Sequence, residues 1–449
     1  MNKVELVKAY LLQMISEGSI KKGRRIPSCR EISRKLSVNK ITVNKACKAL
    51  EDAHILYCVP RGGYYFAGTG DVEGYPLPAG IDFHTLKPDP SLIPYRAFTH
   101  AMNRSVEKYK KNLFEYETTL GLNDLRETLK MRFEQDGIYT SSPQILITHG
   151  AQQGIYLAFK ALFPTPSDDK LLVEVPTYSC ALEIAKDLNI ECLGIPREAH
   201  GINLYELEEL FKKHSVKAFY IIPRHHNPTG YSLPEKDKKR LVALCKHYRV
   251  VLIEDDYLAD LGGNKRSLPL YYYDTERLCV YIRSFSKVFI PGIRLGAMVM
   301  PAFLKDTIVR QKYLMDISTS NIPQGALDFF IKSGMYDQHI RKINTCYKRK
   351  LLKARAILNR LCFEGLSVHV PKQGLFIWLM PPDGLSADKI CEELAMKNIH
   401  VSTISNAYLT NSEKKGLRLC LSAVPEKDMD ALGAVVDTIK ALMHPSSIS

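Results

Sequence analysis

Nowhere in this chain do apolar residues run for the ~18–20 positions that a bilayer-spanning helix needs. The opening MNKVELVKAY has the charge and spacing of an amphipathic helix rather than of a secretory signal. A cytoplasmic protein with no membrane partner is therefore expected. The eleven cysteines are odd in number and scattered, with no C-x-x-C or C-x-x-H pair, which argues against a disulfide framework and a zinc site. No metal is expected. What is present suits a folded chain: 45% apolar and 24% charged residues supply a sizeable core and exclude wholesale disorder. The 449 residues exceed the ~100–200 of one ordinary domain, so several domains are expected, one of them large.

Net charge is +14, and it is unevenly spread: residues 1–66 hold 13 Lys/Arg against 5 Asp/Glu. Such a concentration suits displacement of counterions from DNA phosphates. Val4, Val7, Tyr10, Leu11, Met14 and Ile15 recur at helical intervals, and Gly18 ends that segment. Ser28 is then a good N-cap with Glu31 as its capping-box partner, and Ile32 and Leu36 give a short helix over 29–36. After the turn Ser37-Val38-Asn39, Ile41, Val43, Ala46, Ala49 and Leu50 restore helical spacing over 40–53. Two short helices joined by three residues make a helix-turn-helix, whose second helix meets base edges through its N-terminal residues. Asn39, Lys40, Thr42, Asn44 and Lys45 are the candidates for that contact. ILYCVPRGGYYF follows as two strands around a turn, a wing with Arg61 at its tip. A helical oligomerisation module would share the helices; the strand pair and tip arginine favour DNA. The Gly/Pro-rich stretch 67–80 has no periodicity and is expected to be a linker.

From Ile81 to the end, apolar runs (QILITHG, KLLVEV, AFYIIP, VVLIED, CVYIRSFS, RLGAMVM) alternate with amphipathic segments. That pattern predicts an α/β domain with a mainly parallel sheet covered by helices, and ligands bind such sheets beyond the strands' carboxyl ends. Polar residues gather at those ends. Ser284-Phe285-Ser286-Lys287 with Arg294 suits an aldehyde cofactor, the amine bonding the aldehyde while hydroxyls and guanidinium hold a phosphate. In His149-Gly150-Ala151-Gln152 a strand turns into a helix, offering the N–H groups of Ala151 and Gln152 to that phosphate. Tyr178, in Pro-Thr-Tyr, is placed to stack on a pyridine ring. Asn227, in Asn-Pro-Thr-Gly, is placed to donate to a phenolate oxygen. Asp255 or Asp256, followed by Tyr257, supplies a carboxylate for the pyridine nitrogen and a hydroxyl for the phenolate.

In this order, G-A-Q-Q, P-T-Y, N-P-T-G, E-D-D-Y, S-F-S-K and R-L-G resemble the fold-type-I aminotransferases over about 81–430. Pro27-Ser28-Cys29-Arg30-Glu31-Ile32 resembles the entry of a GntR-type winged helix, which adds Arg30 to the DNA contacts. The two together resemble the MocR subfamily of GntR-type regulators. Three parts are implied: a winged helix-turn-helix at 1–66, a linker at 67–80, and an aminotransferase-like domain binding pyridoxal 5'-phosphate (PLP) at 81–449. The resemblance makes Lys287 the Schiff-base lysine. Ala151, Gln152, Ser284, Ser286 and Arg294 surround the phosphate, and Tyr178, Asn227, Asp255 and Tyr257 surround the ring.

Leu417-Arg418-Leu419 resembles the segment that clamps an amino-acid carboxylate, so Arg418 is the expected effector contact. A homodimer is implied, with Tyr116 reaching the partner's phosphate and two heads meeting paired half-sites in double-stranded DNA. The expected function is transcription regulation in which PLP, or an amine or amino-acid effector, is sensed through Lys287. The rival is a working aminotransferase with a regulatory head. His225-His226-Asn227 departs from the His-Gln-aromatic of many MocR-type proteins and lies nearer true aminotransferases, which keeps that rival open.

Overall fold

The computed structural model describes residues 3–21, 23–52, 55–59, 62–67, 80–116, 118–262, 267–410 and 416–443. The chain divides into two compact units, 1–79 and 80–449. Arg61 at the expected wing tip and residues 68–79 of the expected linker lie outside the described residues.

In the first unit α1 (Lys3–Ser16), α2 (Cys29–Lys35) and α3 (Lys40–Asp52) precede the antiparallel pair β1 (Leu56–Val59) and β2 (Gly63–Phe66). Helix α2 starts where it does because Ser28 and Glu31 satisfy each other's backbone. Ser28 Oγ accepts from Glu31 N at 3.3 Å, and Glu31 accepts from Ser28 N at 2.6 Å. The Ser33 hydroxyl then donates to Val38 O at 2.6 Å and fixes the turn. Val7, Leu11, Ile32, Val43, Leu50, Leu56 and Phe66 form one core that fastens all five elements together. Burying each of these larger side chains contributes about 1.5–3 kcal/mol.

The second unit begins at Gly80, whose φ is +130° and whose missing Cβ would stand 2.1 Å from Asn398 O. Only glycine fits there. Ile81–Asp82 (β3) is the first strand; α4 (Tyr95–Tyr109) and α5 (Asn123–Gln135) follow. Next come β4 (Ile145–Thr148), α6 (Gly150–Leu162), β5 (Lys170–Val175), α7 (Ser179–Asp187), β6 (Cys192–Pro196) and α8 (Leu204–Lys213). They lead into β7 (Val216–Ile221), α9 (Glu235–His247), β8 (Val251–Asp255), β9 (Val280–Ser284) and β10 (Gly296–Val299).

The main sheet has the order β4-β10-β9-β8-β7-β5-β6. Every neighbouring pair is parallel except the two made by β10, which runs against both β4 and β9. The carboxyl ends of β4, β5, β7, β8 and β9 therefore share one edge with the start of β10. Helix α6 packs on β9 and β10, and α9 on β8. The expected strands are all present, and the sheet is mainly parallel; the reversal at β10 and the edge strand β6 were not anticipated.

After α10 (Lys305–Asp316), α11 (Asn321–Lys332) and the long α12 (Met335–Leu361) comes a smaller lobe. It contains β11 (Ser367–His369), β12 (Phe376–Met380), α13 (Ala387–Met396), β13 (Ile399–His400), β14 (Leu417–Cys420) and α14 (Ala431–Met443). Strands β11, β12 and β14 form an antiparallel sheet, while β13 pairs with β3. Leu358, Ile377, Leu419, Leu432 and Val436 fill the core of this lobe. Its function for the site is to carry Arg418 on β14 back toward the main sheet.

Candidate cofactor site and DNA-facing helix

Thr148, Gly296 and Ser284 lie in one row across β4, β10 and β9. A Cβ at position 296 would come within 2.7 Å of Gly150 C and 3.0 Å of Ala151 N. The glycine thus lets the first turn of α6 sit against the sheet edge. Gly150 has φ +75°, which turns the chain sharply from strand into helix. One cavity opens over this row, and its wall includes Ala151, Gln152, Tyr178, Asn227, Asp255, Tyr257, Ser284, Ser286, Lys287 and Arg294. Leu86 and Ile222 also line it; nothing in their sequence context marks them.

At the α6 end of the cavity, helix geometry leaves the N–H groups of the first turn without intrahelical partners, and His149 provides no side-chain cap. Ser286 N donates to Ser284 Oγ at 3.2 Å, while Ser286 Oγ is buried with no partner. The Arg294 guanidinium reaches to 3.1 Å from where a Gly150 Cβ would stand, and Arg294 itself sits in the left-handed region with φ +51°. Among the described residues it makes no ion pair. Unpaired donors around a helix N-terminus fit a phosphate dianion.

Asp255 and Asp256 point to opposite faces, as successive residues at a strand end do. Asp256 turns away from the cavity: Tyr281 donates to it at 2.7 Å, and Arg224 donates to both its oxygens. Burial opposes its ionisation, yet the Arg224 guanidinium holds the carboxyl below the usual range. Asp255 faces the cavity. Tyr220 donates to its Oδ2 at 2.7 Å, and Oδ1 is buried with no partner. Burial pushes this carboxyl up to about 7. An unpaired carboxylate oxygen at this depth is suited to the N–H of a pyridinium ring.

Lys287 makes no hydrogen bond or ion pair with the described residues. Burial holds its amine below the ordinary lysine range, and the charges of Arg294 and Arg418 push it further in the same direction. A larger neutral fraction is what bonding to an aldehyde requires. Asn227 accepts from Arg418 Nη1 at 3.0 Å through Oδ1, which leaves its amide N–H groups as donors toward the cavity. Arg418 Nη2 donates to His84 O at 2.9 Å, and its Nε is buried without a partner. Arg418 is thus behind Asn227 rather than on the cavity wall, with one donor unsatisfied.

One residue stands differently from the sequence expectation. The Tyr257 hydroxyl lines the cavity but donates its proton to His225 O at 2.8 Å. Tyr116, expected to reach the partner's phosphate, is 87% exposed and does not line the cavity of its own chain. Sequence reasoning missed Tyr220, although a tyrosine inside the apolar run AFYIIP is a buried hydroxyl that needs a partner.

In the first unit, Arg30, Asn39, Lys40, Asn44 and Lys45 are exposed and Thr42 is half-buried. Asn39 Oδ1 accepts from Ile41 N at 2.9 Å, so part of the Asn39 side chain caps α3.

Residues 3–66 match the bacterial regulatory proteins of the gntR family, and residues 89–436 match aminotransferase class I and II. An uncharacterized HTH-type transcriptional regulator of Bacillus subtilis, YcxD, is 36% identical over 423 residues, which cover 93% of this chain and 95% of YcxD. Aromatic-amino-acid aminotransferase 1 of Thermococcus litoralis is 29% identical over 79% of this chain and 87% of its own. Among solved structures, the Pyrococcus horikoshii kynurenine aminotransferase superimposes with a TM-score of 0.76 at 28% identity, covering 81% of this chain and 91% of that one.

Proposed function

The chain belongs to the aminotransferase class I and II family and joins that domain to a gntR-family helix-turn-helix head, the MocR-type arrangement, and from this we propose that it is a PLP-dependent transcription regulator sensing an amino-acid or amine effector through Lys287. The observation that carries the reading is the set of unpaired groups around one cavity in a chain with a DNA-binding head. Ser286 Oγ, Asp255 Oδ1, Lys287 Nζ and the Arg294 guanidinium all face the same space.

PLP supplies an aldehyde that condenses with a primary amine and a ring that withdraws electrons. Ser284, Ser286, Arg294 and the N–H groups of Ala151 and Gln152 would hold its phosphate. Asp255 Oδ1 would accept from the ring nitrogen, Tyr178 would cover the ring face, and an Asn227 N–H would donate to the ring oxygen. Lys287 Nζ is the amine for attachment. Arg418 would take the effector's carboxylate bidentately, exchanging its bond to His84 O for the ligand. An effector regulates DNA binding only through unequal affinity for the two states it links. Double-stranded DNA with paired half-sites, a homodimer and a cytoplasmic location complete the proposal.

A working aminotransferase is the second reading. The resemblance of His225-His226-Asn227 to true aminotransferases supports it, and Arg418, donating to Asn227 at 3.0 Å, would serve a substrate carboxylate as well as an effector's. Lys287 would then also move a proton at the amino acid's α-carbon.

The test takes the full-length chain loaded with PLP and presents it with a panel of amino acids. Visible absorbance, DNA affinity and keto-acid release are read together, with Lys287→Ala as control. The regulator reading expects one amino acid or amine to change both absorbance and DNA affinity in the wild type alone. Sustained keto-acid production with unchanged DNA affinity would replace it with the aminotransferase.

A further inference from the structure

On helix α3, Val43, Ala46, Cys47 and Leu50 are at most 1% exposed and face the core of the first unit. The opposite side carries Lys40, Ile41, Asn44, Lys45 and Lys48, all exposed, at the i, i+1, i+4, i+5, i+8 spacing of a single helical stripe. Four of these five are polar or cationic. The fifth, Ile41, is 64% exposed, more than any other large apolar side chain described in this unit; the next are Tyr57 at 42%, Leu12 at 38% and Val59 at 37%.

Packing gives no reason for an isoleucine there. Helix propensity gives none either, since a β-branched residue is a poorer helix former than lysine, glutamine or alanine. Its setting does suggest a use. Asn39 Oδ1 holds the Ile41 N–H at 2.9 Å, which fixes the first turn of the helix, and a β-branched side chain in a helix is confined largely to one χ1 rotamer. The result is a rigid apolar knob at the N-terminal turn of the second helix of a helix-turn-helix, the part that meets base edges. Lysines and an asparagine surround it. Of the four bases, thymine alone presents an apolar group, its C5-methyl, to the major groove.

We infer that Ile41 reads the methyl group of a thymine in each half-site, so that the preferred DNA carries an A·T pair at the position beneath α3. This rests on the DNA-binding reading of the first unit. Lys40 and Lys45 anchor the helix on phosphates or polar base edges at either side, and Ile41 excludes water from the methyl.

The test works mainly on the DNA. The full-length protein selects duplexes from a random pool, and each thymine of the selected half-site is replaced singly by deoxyuridine, which lacks only the methyl. Wild type is expected to lose about four-fold in affinity at one position, the effect of one methyl group. Ile41→Asn, which alters an exposed side chain, should bind thymine and uracil there equally while keeping its far-ultraviolet circular dichroism. The inference is overturned if no deoxyuridine substitution weakens wild type, or if Ile41→Asn keeps the same discrimination. Failure to select any sequence overturns the sequence-reading role of the head together with this inference. Selection without thymine discrimination overturns the role of Ile41 alone.

Discussion

The Tyr220 hydroxyl donates to Asp255 Oδ2 at 2.7 Å, while Asp255 Oδ1, equally buried, has no partner. One oxygen of the carboxylate is fixed by the protein and the other is left for a ligand. Tyr220→Phe removes the fixed bond from a fully buried acid. The PLP-free protein is expected to lose about 1–3 kcal/mol of stability, measurable as a lower urea midpoint.

The same carboxylate predicts a pH dependence. Its pKa, pushed up to about 7 by burial, lies above the ~3.9 of an unfolded aspartate. Between those values the folded state holds more protons, so the stability this group contributes is complete below about pH 4 and is lost as pH rises toward 7. Urea midpoints of PLP-free wild type and Asp255→Asn, compared from pH 5 to 8, should show wild type falling relative to the variant. The slope is at most about 1.4 kcal/mol per pH unit. A gap that stays flat would show that burial does not govern the acid.

Arg294→Ala should weaken PLP about ten- to a hundredfold, the effect of removing one charge-assisted hydrogen-bonding group. Pyridoxal, which has no phosphate, should bind both proteins alike. Equal weakening of the two ligands would place Arg294 away from the phosphate.

Gly296→Ala tests the row Thr148–Gly296–Ser284. The added methyl would meet Gly150 and Ala151 backbone within 3.0 Å, and overpacking of this kind costs about 1–3 kcal/mol. PLP affinity should fall with stability, because the turn that moves is the one whose N–H groups are proposed to hold the phosphate. A variant with normal affinity and stability would remove this glycine from the account of the site.

On the DNA side, Lys40→Ala with Lys45→Ala should reduce the slope of log affinity against log salt by about 0.9 for each phosphate that is no longer neutralised. Binding to all duplexes should weaken together. An unchanged slope would direct these lysines to base edges.

Much of the site was legible because strand-end residues carry their own chemistry. Ser284, Ser286, Lys287 and Arg294 were placed around one cofactor from their types and order, and they line one cavity. Asp255 and Asp256 were not separable: adjacent strand residues alternate faces, and only the packing of Arg224 and Tyr281 against Asp256 shows which face is which. The donor direction of Tyr257 depends on a backbone carbonyl, that of His225, and carbonyls leave no trace in composition. The capping role of Asn39 was hidden for the opposite reason, since asparagine before a helix suits both a cap and a base contact. Strands β11 and β13, of three residues or fewer, are too short for alternation to register.

Arg418 joins Asn227 to His84 O, and the latter contact spans 334 residues of chain. While the protein is being synthesised, the residues that line the pocket are all made once β10 is complete, but the arginine that backs Asn227 comes only with β14, some 120 residues later. Contacts of such separation form late. A nascent or truncated chain that ends before β14 thus has every residue proposed to hold PLP and still lacks the arginine proposed to take an effector's carboxylate, so under the proposed function such a chain would bind the cofactor without responding to an effector.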